Sequence, residues 1–295
     1  MAIDHLGHAF VGDVQGCADE FKALVRKLED ELGRDFQLHC VGDMINRGPD
    51  NLAVLEQIRN RVESGQAEYV LGNHEIGLIA RYLGIRESSP SDTLSDLLES
   101  KEAGDWVQWL RDRPLAEAGE IAGQRYVMVH AGVHPDWDFE ECQGRARRAE
   151  AHLAEGDLEQ CRAFLLEEAE QGDARDDLGR LVSCRSVDAD GNWSSAEPRD
   201  PDGEPWYRVW ERRRHGYGVV YGHWAQRGLV VEPGLRGLDT GCVHNRPERP
   251  GSLTAWIPTS GSSSSLFDLP DDGFLSEPAH REHGRLRSSP VDANS

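Results

Sequence analysis

The 295-residue chain has almost no lysine: Lys22, Lys27 and Lys101 stand against 29 arginines. Positive charge is scarce as a whole, with 32 Lys+Arg against 53 Asp+Glu and a formal net charge of −21. That balance excludes a strongly basic nucleic-acid binder, whose affinity comes from neutralising phosphates with clustered cations, and no duplex partner is expected. The arginine bias fits a GC-rich or a salt-adapted source. Long hydrophobic runs are missing too: none approaches the ~18 apolar residues of a membrane span. The opening segment MAIDHLGHAFVGD lacks a basic n-region and a long apolar core, so no signal peptide is expected. Cys17, Cys40, Cys142, Cys161, Cys184 and Cys242 are scattered without a CxxC pair. They read as reduced, buried thiols rather than a disulfide framework, and a cytoplasmic protein is expected.

What remains is enough for a core. Apolar residues make up 38% of the chain, and the length suits one large domain or two small ones. From residue 8 to about 130, short apolar runs alternate with helical patterns. HAFVGD reads as a strand, followed by a helix with Phe21, Leu24, Val25 and Leu28 at i, i+3, i+4 and i+7. FQLHCVGD, AEYVLGNH and RYVMVHAG read as further strands, with helices after Pro49, at Glu75–Leu83, around 92–100 and around 104–112. This alternation predicts an α/β architecture with functional loops at the strand ends. Residues 139–182 read as helical, 187–205 as loop, and strands return at GVVYGH, GLVVE and SLTAWI. After Pro258 the chain is rich in Ser, Pro and Asp and is expected to be disordered.

Three strands end in polar clusters of one kind: Gly12-Asp13-Val14-Gln15-Gly16, Gly42-Asp43-Met44-Ile45-Asn46-Arg47-Gly48, and Gly72-Asn73-His74-Glu75. A Gly-Asp pair after a strand places a carboxylate at the sheet edge with the backbone free to turn. Two later strands end in His130 and His223. Each piece alone is ordinary, because Gly-Asp is usually a turn and a lone histidine is usually a core residue. The ordered set GDxQG, GDxxNRG, GNHE, HAG, GHW is not ordinary. Two Asp, one Asn and two His converging from separate strands is a donor set for a pair of hard divalent cations.

The segments GDVQGCADEFKALV, GDMINRGPDNLAVL, VLGNHEIGLIA, DWVQWLRDRPL, VMVHAGVHPDWD, YGHWAQRG and GLDTGCV resemble the calcineurin-like metallophosphoesterases. Within that family they are similar to the bacterial symmetrical bis(5′-nucleosyl)-tetraphosphatases. The likeness covers most of 8–138 and 205–257, whereas 139–204 departs from it. It implies an αββα sandwich of two mixed β-sheets flanked by helices. The phosphoesterase domain would span 1–258, with a helical insertion at 139–182 and an acidic disordered tail at 259–295.

The resemblance also implies roles. Asp13 and Gln15 would bind one metal, Asp43 would bridge both, and Asn73, His130 and His223 would bind the other. Mn²⁺ is favoured, with Co²⁺ or Mg²⁺ as alternatives. Most of the family has His at the position of Gln15; an amide oxygen is the harder ligand. Arg47 would grip phosphate, and His74 would act as general acid or stabiliser beside the leaving oxygen. The residue that would steady His74 falls at Asn46. Arg180 and Arg185 compete as the second phosphate clamp, Arg180 fitting the family spacing slightly better. Trp224, Tyr82 and Trp137 are candidates to stack on adenine, though aromatics beside apolar segments are more often core. The implied reaction is symmetrical hydrolysis of diadenosine tetraphosphate to two ADP by two-metal activation of water. Alternatives with the same chemistry are a phosphoprotein substrate or a nucleotide-capped RNA 5′ end; from another class comes an inactive acidic scaffold.

Overall fold

Strand alternation builds two apolar layers here. In the strand His8–Val11, Ala9 and Val11 join one buried cluster and Phe10 another, because successive side chains leave opposite faces of a strand. Val127 and Val129 divide from Tyr126 and Met128 in the same way, as Val219 does from Val220. A sheet that is apolar on both faces must be covered on both.

The computed structural model describes residues 4–5, 7–198, 203–260, 265–269 and 272–282. After a two-residue strand at Asp4–His5, its main elements are β1 (His8–Val11), α1 (Ala18–Leu32), β2 (Gln37–Cys40), α2 (Asn51–Glu63), β3 (Ala67–Tyr69), α3 (Asn73–Tyr82) and α4 (Ala103–Arg111). A hairpin of β4 (Ala116–Ile121) and β5 (Gln124–Val129) follows, then α5 (Phe139–Ala154), α6 (Leu158–Leu166), α7 (Ala174–Ser183) and α8 (Trp206–Arg213). The chain continues through β6 (Gly218–Tyr221), β7 (Val230–Glu232), β8 (Leu235–Gly237), β9 (Ser252–Trp256) and β10 (Phe274–Pro278). One sheet has the order β10-β9-β1-β2-β3, with β1, β2 and β3 parallel and β9 antiparallel to both its neighbours. The other has the order β7-β8-β6-β5-β4, parallel in its middle and antiparallel at both edges.

Between the sheets lie Phe10, Val41, Val70 and Trp256 from one side and Tyr126, Met128, Val220 and Leu238 from the other, all buried. Each such side chain contributes about 1.5–3 kcal/mol by leaving water. On the outer face of the first sheet, α1 buries Phe21, Leu24, Val25 and Leu28, the stripe its spacing predicts, and stops at Gly33, whose φ is 79°. Asp50 caps α2 by accepting from Ala53 N at 3.1 Å. The second sheet is covered by α5, which packs on β4 and β5, with α7 against it. The result is the αββα sandwich the motifs imply.

Three expectations need correction. The Ala116–Ile121 strand had no signal in its own residues, since AEAGEI is poor in β-formers; pairing with β5 across the Ala122-Gly123 turn makes it a strand. Both turn residues have positive φ, 48° and 82°, the geometry that matches a tight hairpin to strand twist. The 187–205 loop is not wholly irregular: Ser186–Val187 pairs with Trp193–Ser194 and with Glu204–Pro205. The tail from 259 is not structureless throughout. Phe274–Pro278 pairs residue for residue with β9, Ser276 Oγ lies 2.9 Å from Thr254 Oγ1, and Phe267 packs against Trp256 between the sheets. The bare edge of β9 supplies a hydrogen-bonding template that composition does not reveal. Residues 261–264, 270–271 and 283–295 of that expectation lie outside the described residues.

Candidate active site

At the carboxyl ends of β1, β2, β3, β6 and β8, loops meet over a cleft of about 910 Å³. The backbone there is unusual. Gln15, Asp43, Asn46, Arg47 and His223 all have φ between 47° and 75°, and among the described residues only Ala122 and Arg214 join them as non-glycine cases. Each such residue costs about 1–2 kcal/mol, so the surrounding contacts must over-determine it.

Those contacts centre on two carboxylates. Asp43 Oδ1 accepts from His74 N, at the start of α3, at 2.9 Å; both oxygens of Asp13 accept from His223 N at 3.1 Å. A β-carbon on Gly72 would stand 2.2 Å from Asp43 Oδ1, and one on Gly222 would stand 2.0 Å from Asp13 Oδ1. Glycine is therefore required at both places for the backbone to come this close. Beneath them, the fully buried Glu75 gathers four backbone donors. Its Oε2 takes Asp43 N at 3.0 Å and Gly72 N at 2.8 Å, and its Oε1 takes Met44 N at 2.9 Å and Ile45 N at 3.3 Å.

The remaining donors face one another. Asn73 Oδ1 lies 3.1 Å from His130 Nε2 and 2.9 Å from His223 Nδ1, and Asp43 Oδ1 lies 3.4 Å from His130 Nε2. His130 Nδ1 donates to the Val41 carbonyl at 3.0 Å, which turns Nε2 inward, toward Asn73 and Asp43. Gln15 reaches Asp43 Oδ2 at 3.4 Å. Burial, then Asp239 and Asp43, push the Asp13 carboxyl well above the usual range. Asp239 is itself pushed up to about 6 by burial and Asp43. For Asp43 burial acts in the same direction, but His130 and His74 outweigh it and hold the group below the usual range. Burial, with His130 and Arg185 nearby, keeps His223 well below the ordinary imidazole value and so neutral. Three buried carboxylates crowded with imidazole and amide groups are a poor arrangement by themselves and a good one around divalent cations. The residues fit a metal centre.

The structure brings Asp13, Gln15, Asp43, Asn73, His74, His130 and His223 together, with Arg47 and Arg185 on the cleft wall. It does not bring Arg180. That residue is 2% exposed, donates from Nη2 to the Gly191 carbonyl at 3.0 Å, and lies 5.7 Å from the Trp137 ring beside a separate small cavity. The preference for Arg180 over Arg185 is thus corrected: Arg180 is buried in the last turn of α7 near Trp137, while Arg185, past the end of α7, faces the cleft. None of the three aromatic candidates lines the cleft either. Trp224 and Trp137 are buried, the former donating to Glu197 Oε1 at 2.6 Å, and Tyr82 sits on the surface at the end of α3. The Asn46 side chain is hydrogen-bonded elsewhere, accepting from Arg47 N and Thr93 N and donating to Asp92, while His74 Nδ1 donates to the Ile45 carbonyl at 3.0 Å.

Sequence reasoning missed Glu75, Asp239, His244, Arg246 and Arg249. Asp239 had a usable signal, since it follows β8 as Asp13 follows β1. Glu75 stands inside GNHE, where its role shows only once the backbone is folded around it.

The profile of the calcineurin-like phosphoesterase family matches residues 9–227. A protein of Janthinobacterium sp. (strain Marseille), named bis(5′-nucleosyl)-tetraphosphatase, symmetrical, is 36% identical over 259 residues, covering 83% of this chain and 90% of that protein. One of Ralstonia nicotianae with the same name is 35% identical over 269 residues, covering 83% and 87%. A solved structure of a proposed diadenosine tetraphosphatase shares the fold, with a TM-score of 0.59 and 24% identity over 92% of this chain and 93% of that one.

Proposed function

The chain belongs to the calcineurin-like phosphoesterase family, and from that premise we propose that it hydrolyses diadenosine tetraphosphate symmetrically to two ADP. The observation that carries the reading is the convergence of Asp43, Asn73, His130 and His223 within 3.4 Å of one another in successive pairs. Asp13, Gln15 and the bridging Asp43 would hold one cation, and Asp43, Asn73, His130 and His223 the other, with Mn²⁺ favoured over Co²⁺ and Mg²⁺. When bound, such ions polarise phosphoryl oxygens and make water acidic enough to serve as nucleophile near neutral pH.

The chain's own residues do the rest. Arg47 and Arg185 line the cleft and suit a pair of guanidinium forks on non-bridging phosphate oxygens, where negative charge builds during transfer. His74 spends its Nδ1 proton on the Ile45 carbonyl, so Nε2 is the atom free to hold a proton for the departing oxygen. ADP leaves as a stabilised anion, so that proton matters less than it would for an alkoxide. Burial of Asp13 and Asp43 under the cleft keeps bulk water away from the ligands.

The test is chromatography of the products made from diadenosine tetraphosphate with Mn²⁺. ADP alone is expected; ATP with AMP would contradict the symmetrical cut.

A further inference from the structure

One wall of the cleft is built by a segment with no role so far. After the single turn Cys242–His244 the chain reads Asn245-Arg246-Pro247-Glu248-Arg249. Arg246 N donates to the Arg249 carbonyl at 3.1 Å and Arg249 N to the Arg246 carbonyl at 3.0 Å, which makes the two an isolated antiparallel bridge. Residues directly opposite in such a pair have Cα atoms ~5.5 Å apart and send their side chains to the same face. The bridge therefore sets two cationic side chains beside each other, and Arg246 Nη1 also donates to the Asn245 carbonyl at 2.6 Å. Both line the same cleft as Arg47, His74 and His223.

The turn is fixed in place. Arg249 Nη2 donates to the carbonyl of Ala225, two residues past His223, and Gly251 N donates to Asn245 Oδ1 at 2.9 Å. Asn245 Nδ2 donates to the Arg281 carbonyl at 3.0 Å, which ties a further cleft-lining arginine to the same wall. In a chain with net charge −21, this cleft gathers five arginines against the three acids Asp43, Asp239 and Glu282, so cationic side chains outnumber acidic ones along its lining.

We infer that the Arg246–Arg249 turn is a second phosphate-binding element, which holds the diphosphate lying beyond the attacked phosphorus. The inference rests on the hydrolytic reading above and adds a specificity to it. The buried donors fix one phosphate, and the turn fixes the next two through paired guanidinium forks, so a nucleoside diphosphate half is recognised as a unit. A single phosphate does not reach the turn.

Calorimetry on the Mn²⁺-loaded full chain tests this with ADP and inorganic phosphate as probes. The Arg246→Gln/Arg249→Gln double variant is compared with wild type and with Arg212→Gln/Arg213→Gln, which removes the same charge from two exposed side chains at the end of helix α8. ADP affinity is expected to fall about 10-fold or more in the first variant, with inorganic phosphate changed less than about twofold and the second variant like wild type. Unchanged ADP affinity would overturn the inference. So would an equal loss of both probes, an equal loss in the charge-matched control, or a wild type that binds ADP no better than phosphate. Arginine-dependent ADP binding by a protein that releases no ADP from diadenosine tetraphosphate would leave the subsite standing and remove the substrate assignment instead.

Discussion

On the floor of the cleft, the side chains of Asp13, Asp43 and His130 are all but inaccessible, seated by backbone N–H and C=O groups of several elements. On its rim, Arg249 and Arg281 are exposed side chains on short turns, reaching inward from the surface. The floor has hydrogen bonds on almost every atom and strained backbone beneath them; the rim has charge and length. A donor that must meet a small cation needs fixed position, whereas a group that meets a flexible polyphosphate needs reach. Substitutions in the two regions should therefore fail differently.

The largest effect is expected at the floor. Asp43→Asn should cut Mn²⁺-dependent hydrolysis by about 10³-fold or more while leaving the circular dichroism spectrum and cooperative melting intact; a fully active variant would break the assignment. Next comes Glu75→Gln, one layer below, which replaces an acceptor of four backbone N–H groups with an amide that also presents donors to them. It should weaken Mn²⁺ binding by about 10–100-fold and cost about 1–3 kcal/mol in urea unfolding, so that metal affinity and stability drop together. On the wall the two should separate. Arg185→Ala is expected to raise KM for diadenosine tetraphosphate about 10-fold with little change in melting. Arg180→Ala should lower the melting temperature and leave KM alone, because its guanidinium is packed on Trp137.

The smallest effect is a pH dependence at the rim. Partial desolvation at the cleft wall, followed by Arg47, His74, Arg246 and Arg249, pushes the His244 imidazole down to about 4. The unfolded chain takes that proton near pH ~6.5, so between the two values the unfolded state binds more protons and stability falls as pH falls. His244→Gln should flatten that slope slightly in urea midpoints compared at pH 7 and pH 5.

The same contrast explains what the sequence discloses. Floor residues are legible because rigid placement needs strands, glycines and fixed spacing; the thirty-residue steps from Asp13 to Asp43 to Asn73 each span one strand–helix unit. The α1 stripe at Phe21, Leu24, Val25 and Leu28 is legible for a related reason, since burial imposes periodicity. Rim residues leave no such trace. Arg246 and Arg249 look like ordinary surface charge until a backbone bridge sets them side by side. Arg180 and Arg185, five residues apart, differ only in which side of a helix end they fall on. The strands Ala116–Ile121 and Phe274–Pro278 escape notice because their partners, not their own residues, make them strands.

The seating of Asp13 has one more consequence. Its carboxylate rises from the first sheet but is held by His223 N from the loop after β6 in the second, and His130, after β5, is oriented by the Val41 carbonyl after β2. A cation held by Asp43, Asn73, His130 and His223 would be shared between the two halves of the sandwich, so the centre would work as a clasp as well as a catalyst. Metal occupancy and sheet docking are then thermodynamically linked: at a hundred times its dissociation constant a bound ion adds about 2.7 kcal/mol to the folded state. Chelation should loosen the seam between the sheets as well as silence the chemistry.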